Sequence, residues 1–135
     1  MSQIPIFFKN FLDWFSLKPQ LDTLKKAKNF NEREVWWCHL GTNIGFEIDG
    51  KTAELTRPVL IIKKISHQTA LILPLSTKAK TGSWFVPITV NQKQAIVILS
   101  QSRTIDSKRL KTRMETVPQK EFQEIKQKFI DFLQN

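Results

Sequence analysis

The chain has 135 residues, of which 41% are hydrophobic and 24% charged, and its formal net charge is +9. Such a composition fits one globular domain with a core of its own. No apolar run approaches the roughly 18 residues that span a bilayer, a single cysteine, Cys38, rules out an intrachain disulfide, and the excess of positive charge favours an anionic partner.

The opening residues, MSQIPIFFKNFLDWF, do not read as a secretory leader. Lys9, Asn10 and Asp13 interrupt the apolar residues and no small-residue cleavage site follows, so the expected location is the cytoplasm. Residues 5–31 are predicted helical, because Phe8, Phe11, Leu12 and Phe15, then Leu17, Leu21 and Leu24, recur at helical spacing. Pro19 suits the first turn of a second helix, with Lys25, Lys26 and Lys28 in its last turn, where the dipole favours cations. This segment, taken as a helical extension over residues 1–33, is expected to pack on a sheet. A membrane-surface helix is the alternative.

From Glu34 the texture changes. EVWWCHL is rich in strand formers, and Trp36 and Trp37, being adjacent, are predicted to point to opposite faces. Asn43 to Glu54 read as a long loop with turn signals at GTN and DGK. RPVLIIKKI and QTALILPLST are continuous apolar runs that predict buried strands, with Pro74 at an edge, bulge or end. WFVPITV and QAIVILS add two strands joined near Asn91, and RMETV a last one. Phe122, Ile125, Phe129, Ile130 and Leu133 then mark an amphipathic C-terminal helix that starts at Pro118. Five or six short strands at close spacing predict a small barrel, which also removes exposed strand edges.

The charge is unevenly spread. Between Lys78 and Arg113 lie eight basic residues and one acid, Asp106, for a net +7. A solvated basic face and a surface for nucleic-acid phosphates both fit that segment. A further oddity is Arg57, which stands directly before Pro58 at the entrance to an apolar strand. By itself it reads as a surface arginine paired with Glu54.

Three blocks in order, EVWWCHLGTNIGFEIDGK followed by TRPVLIIKK, then LPLSTK, then LSQSRTIDSKRLKTRMETV, resemble the MazF/PemK family of toxins from type II toxin–antitoxin systems, over about Glu34 to Leu133. The resemblance implies a mainly-β, α+β domain over residues 34–135. Its fold would be a small SH3-like β-barrel of the MazF/CcdB type, with N-terminal helices and a C-terminal amphipathic helix. It also implies a homodimer and a cognate antitoxin with which the toxin binds DNA. The implied activity is metal-independent cleavage of single-stranded messenger RNA at short motifs, with neither cofactor nor membrane. RNA carries its own nucleophile, the 2′-hydroxyl, so such an enzyme has to move protons and stabilise charge on phosphorus oxygens.

Arg57 matches the family's catalytic arginine. Pro58 biases it to an extended conformation, and its planar fork of donors suits a phosphate. Ser76 and Thr77 match the hydroxyl pair. Ser76 stands where threonine is usual and offers the same O–H donor with a less restricted χ1. The competing reading of this pair is a strand-end turn capped by hydroxyls. Lys78 and Lys80 are candidates to hold flanking phosphates, and Gln101 and Arg103 match positions near the family's RNA groove. Trp84 or Phe85 could stack an unpaired base, against core packing. Glu47 is a candidate to orient Arg57 or meet a base. His39 is read as structural, and Asp106 with Arg109 as a local pair that shapes a turn. Two other functions stay open: a nonenzymatic gyrase inhibitor of the CcdB type, and a degenerate member that binds RNA or antitoxin without cutting.

Overall fold

The computed structural model describes residues 10–24, 28–51, 55–78 and 80–135. In chain order the elements are α1 (Phe11–Asp22), β1 (Glu34–His39), β2 (Thr56–Lys64), β3 (Thr69–Ser76), β4 (Phe85–Val90), β5 (Lys93–Ile98), β6 (Arg103–Asp106), β7 (Leu110–Thr116) and α2 (Gln119–Gln134). The strands join in the order β4-β5-β3-β2-β1-β7, every pairing is antiparallel, and β6 adds to β3. The result is a mainly-β, half-barrel sheet with two helices. Its hydrogen-bonded path is open, with β4 and β7 at its ends, where closure into a barrel was expected.

Both faces of the central strands are buried, which is why their sequences are continuously apolar. Along β2 the side chains alternate. Leu60 and Ile62 meet a core formed with Val86, Ile88, Val97 and the α2 residues Phe122, Ile125 and Phe129. Val59 and Ile61 meet a second core with Phe30, Trp36, Cys38, Leu40, Ile105 and Leu110. Trp36 and Trp37 separate as expected: Trp36 is core, and its indole N–H donates to Glu34 Oε1 at 3.0 Å, whereas Trp37 is half-buried on the other face.

Strand β3 is where the sheet changes partners. Residues Thr69 to Ile72 pair with β6, and Leu75 and Ser76 pair with β5. Pro74, which has no N–H to give, falls in the gap between the two partners and faces Val59 of β2. The turn from β4 to β5 is two residues, Asn91 and Gln92, both at positive φ (50° and 64°), the geometry that matches strand twist in tight hairpins. The short strand β6 was not anticipated, and the last strand is longer than RMETV.

The N-terminal segment differs most from expectation. Among the described residues it forms one helix with Pro19 inside it, past the first turn, where its missing N–H forgoes one backbone bond. Lys25 and Lys26 lie outside the described residues, and Lys28 lies beyond the helix. Of the apolar residues at helical spacing, Phe11, Leu12 and Phe15 are exposed, Leu12 to 71% and Phe15 to 79%, whereas Leu17 and Leu21 are half-buried on the same side as the buried Trp14. Helix α1 docks through Trp14 over Gly41 and Arg109. Thr42 Oγ1 donates to the Asn10 carbonyl at 3.1 Å, and Lys108 Nζ to the Asp22 carbonyl at 3.1 Å.

Candidate active site

Arg57 enters the structure as a strand residue. It pairs with Cys38 across β1–β2, and Pro58 faces Trp37. The loop before it folds back tightly: Gly50 N donates to Gly41 O at 2.8 Å, and Lys51 N to Thr56 O at 2.9 Å. Gly50 is required there, since a Cβ would lie 1.6 Å from the Leu55 carbonyl oxygen. Folding back brings the Asp49 carbonyl to Arg57 Nε at 2.6 Å, while Nη1 donates to the Leu75 carbonyl at 3.2 Å. The residue is only 7% exposed. Burial pushes its pKa down and Asp49 pulls it back up; a guanidinium remains charged under such pressure. The suggested partner Glu54 lies outside the described residues.

Ser76 closes β3 and is buried. The β2–β3 register Val59 to Pro74, continued by two residues, sets Ser76 opposite Arg57. Its Oγ accepts from Lys78 N at 3.2 Å, a hydroxyl turn that fixes the exit of the strand. Arg57, Ser76 and Thr77 line one cavity of about 450 Å³, together with Lys51, Lys93 and Trp37. A second hollow of about 600 Å³ holds Lys78, Lys80 and Thr81. The two share Thr77, Gln94 and Ala95, so they form one groove along the end of β3 and the β4–β5 hairpin. Its cations are Lys51, Arg57, Lys78, Lys80 and Lys93, and Glu121 is the acid among its lining residues.

Residues 31–133 match the model of the PemK-like, MazF-like toxins of type II toxin–antitoxin systems. The chain belongs to this family. The fold agrees with that of MazF (form I) from Deinococcus radiodurans, with a TM-score of 0.62 at 17% identity over 82% of this chain and 100% of that one. It also agrees with the MazE–MazF complex (form II) of the same organism, at TM-score 0.56 and 16% identity over 81% and 97% of the two chains. Toxin MazF-mt6 of Mycobacterium tuberculosis gives a TM-score of 0.54 at 16% identity over 73% and 97%. No curated protein sequence matches significantly.

In this MazF-like toxin several candidates stand outside the Arg57 cavity. Gln101 clamps the loop: its Nε2 donates to Phe46 O at 3.1 Å and its Oε1 accepts from Ile48 N at 3.2 Å. Glu47 accepts from Ile44 N at 2.9 Å and so shapes its own loop. Arg103 pairs with Ile72 on β6, about 13 Å along β3 from Ser76 at strand rise, and acts electrostatically on Cys38 and Arg109. Trp84 is 45% exposed and leans on Phe85 at 5.7 Å between centroids. His39 is buried and its carbonyl accepts from Arg109 Nη1 at 3.2 Å. Asp106 does shape the turn, but through Lys108 N at 2.8 Å, while Arg109 reaches back to β1 and Trp14.

The residues that sequence reasoning missed are Asp49, Lys51, Lys93 and Trp37. Asp49 acts through its carbonyl oxygen, which residue type does not reveal. Lys51 sits in the DGK turn, and Lys93 in the tight hairpin. A charge count showed them as lysines without showing that both turns open onto one cavity.

Proposed function

We propose that this toxin is an endoribonuclease that cleaves single-stranded messenger RNA at short motifs by internal attack. The 2′-oxygen bonds to phosphorus, the bond from phosphorus to the 5′-oxygen breaks, the hydroxyl proton leaves and the 5′-oxygen gains one. The products are a 2′,3′-cyclic phosphate and a 5′-hydroxyl. The observation that carries the reading is the shared cavity of Arg57 and Ser76. Two backbone carbonyls hold the guanidinium, so a charged fork of donors is already oriented where charge develops on phosphoryl oxygens. Ser76, or Thr77 at the rim, adds a hydroxyl donor, and Lys78 and Lys80 extend positive charge along the strand path. Because the nucleophile belongs to the substrate, the chemistry asks for no metal or cofactor.

The same reading takes a cognate antitoxin as partner, in keeping with the MazE–MazF complex among the similar structures. It also takes a homodimer, joint DNA binding with the antitoxin, and a cytoplasmic place of action. Among the described residues no helix is long and apolar enough to cross a membrane.

The test is a gel assay on a long, mixed-sequence single-stranded RNA in excess EDTA. Wild type is expected to give discrete cuts with cyclic-phosphate ends, Arg57→Ala none and Ser76→Ala fewer. Intact RNA with wild type would overturn the reading and favour a binding-only toxin; gyrase inhibition without cleavage would favour the CcdB-type alternative.

A further inference from the structure

Residues 31–133 carry the family match, so membership does not account for helix α1. The helix grips one short segment, the exit of β1 from His39 to Thr42. Trp14 covers Gly41, where a Cβ would lie 2.0 Å from the indole Cε2, and Thr42 Oγ1 donates to the Asn10 carbonyl at 3.1 Å. Arg109 stands 5.5 Å from the Trp14 ring centroid and donates through Nη1 to the His39 carbonyl at 3.2 Å. Lys108 Nζ reaches the Asp22 carbonyl at the far end of the helix, at 3.1 Å.

That segment is where the backbone around Arg57 is tied together. Gly41 N donates to the Leu55 carbonyl at 3.1 Å, and Gly41 O accepts from Gly50 N at 2.8 Å. Leu55 is held at φ 58°, a conformation that a leucine keeps only where its surroundings impose it. One residue after Thr42, Asn43 fixes the rest of the loop. Its Nδ2 donates to the Ile48 carbonyl at 2.8 Å, and its backbone N–H to Asp49 Oδ1 at 2.6 Å. The Asp49 carbonyl in turn accepts from Arg57 Nε. Gly41 and Gly50 are buried, and hydrogen bonds beneath an indole are shielded from competing water.

We propose that Trp14 is a positioning residue for Arg57: it clamps Gly41, and through the bonds of Gly41 and Asn43 it fixes the Asp49 carbonyl that aims the guanidinium. This rests on the nuclease reading above. With the indole in place, the loop and the entrance to β2 form one rigid frame, and Arg57 meets the phosphoryl group already oriented. With the indole gone, Gly41 regains its backbone freedom, water reaches its two hydrogen bonds, and the Asp49 carbonyl is no longer fixed. Trp14 touches no substrate in this scheme and acts only through Arg57.

Cleavage kinetics and solvent exchange of the Arg57 Nε–H, read by nuclear magnetic resonance, test the assignment. Trp14→Ala is expected to lower kcat by up to about 10²-fold, the cost of misplacing a reacting group by about 1 Å, with KM nearly unchanged. Trp14→Phe keeps a flat ring over Gly41 and is expected to restore most of the rate. In an Arg57→Lys background the Nε bond to Asp49 is already lost, so Trp14→Ala is expected to cost little more; a loss of folded protein would fall equally on both backgrounds. Thr42→Val, nearly isosteric, unties α1 from the loop without opening a cavity and is expected to act in the same direction by a smaller factor. In both Trp14→Ala and Thr42→Val the Arg57 Nε–H and the Gly50 N–H are expected to exchange faster, while the amides of Leu60 and Ile61 keep their protection. Unchanged kcat and exchange, or equal losses in the two Arg57 backgrounds, would overturn the assignment and leave the nuclease reading intact. No cleavage by wild type would overturn the nuclease reading, and the clamp then stands or falls on the exchange of the Arg57 Nε–H.

Discussion

The indole of Trp14 occupies the space that a side chain on Gly41 would need: a Cβ built there lies 2.0 Å from Trp14 Cε2. Gly41 also sits at φ +75°, where an L side chain is strained. On the same ring Arg109 stands 5.5 Å from the centroid, a cation–π distance. Gly41→Ala is therefore expected to expel Trp14 and release α1. Amide exchange of residues 11–22 should accelerate while β2 and β3 keep their protection. Trp14→Ala should do the same, with a docking loss of about 3–5 kcal/mol, the range for truncating a buried tryptophan. Unchanged exchange in either variant would show that α1 is held by something other than this contact.

Arg57→Lys separates charge from geometry. A lysine keeps the positive charge but offers a point ammonium instead of a planar fork, and it cannot bond the Asp49 and Leu75 carbonyls from Nε and Nη1 positions. The expected outcome is a fall of about 10²–10³-fold in kcat for RNA cleavage, the usual cost of one oriented transition-state donor, with a much smaller change in KM. A raised KM with kcat unchanged would mean instead that Arg57 binds the substrate uniformly.

The groove charges should appear in the salt dependence of RNA binding. For single strands each phosphate contact adds about 0.7 to the slope of log K against log salt. Lys80→Ala, on the groove, is expected to lower the slope by about that amount. Arg103→Ala, on β6 and outside the groove lining, is expected to leave it unchanged. A lower slope for Arg103→Ala would extend the RNA path across the β6 side of the sheet.

Cys38 is fully buried in the Phe30–Leu110 core, and burial pushes its thiol up to about 12 from 9.0, against the pull of Arg109 and Arg103. The native state therefore holds this proton more tightly than the unfolded chain does. The stability it contributes is intact below about pH 9 and is lost as pH rises toward the native value. Relative to Cys38→Ala, wild type is expected to lose about 1 kcal/mol between pH 8.5 and 10, read from urea midpoints. A thiol reagent should label native Cys38 far more slowly than the unfolded chain. Rapid labelling would mean that this core opens locally.

The strands were legible because their signal is local. The run from Val59 to Ile62 is apolar at every position since β2 is covered on both faces, and adjacent tryptophans must part across a strand. Asn91 marked the hairpin because a two-residue turn needs positive φ. The N-terminal helix shows the limit of periodicity. Phe11, Leu12 and Phe15 do share helical spacing, but spacing defines a face and says nothing of what covers it; Trp14 makes the contact because the gap beside Gly41 admits a flat ring. Strand β6 escaped notice for a similar reason. RTID has only four residues, and it is a strand because β3 offers it an edge.

For the site, the sequence by itself determined which residue types stand at which strand ends: Arg57 before a proline at the start of β2, and Ser76 with Thr77 at the end of β3. Those positions follow from backbone preferences and from the burial of the strands, both of which act over a few residues. Tertiary structure alone decided what Arg57 is anchored to and what it faces. The carbonyls of Asp49 and Leu75, and the side chains of Lys51 and Lys93, reach it through a loop that folds back at Gly50, a strand register, and a hairpin that curves over the sheet. Contacts between residues far apart in the chain depend on the register and curvature of the whole sheet, which no local pattern encodes.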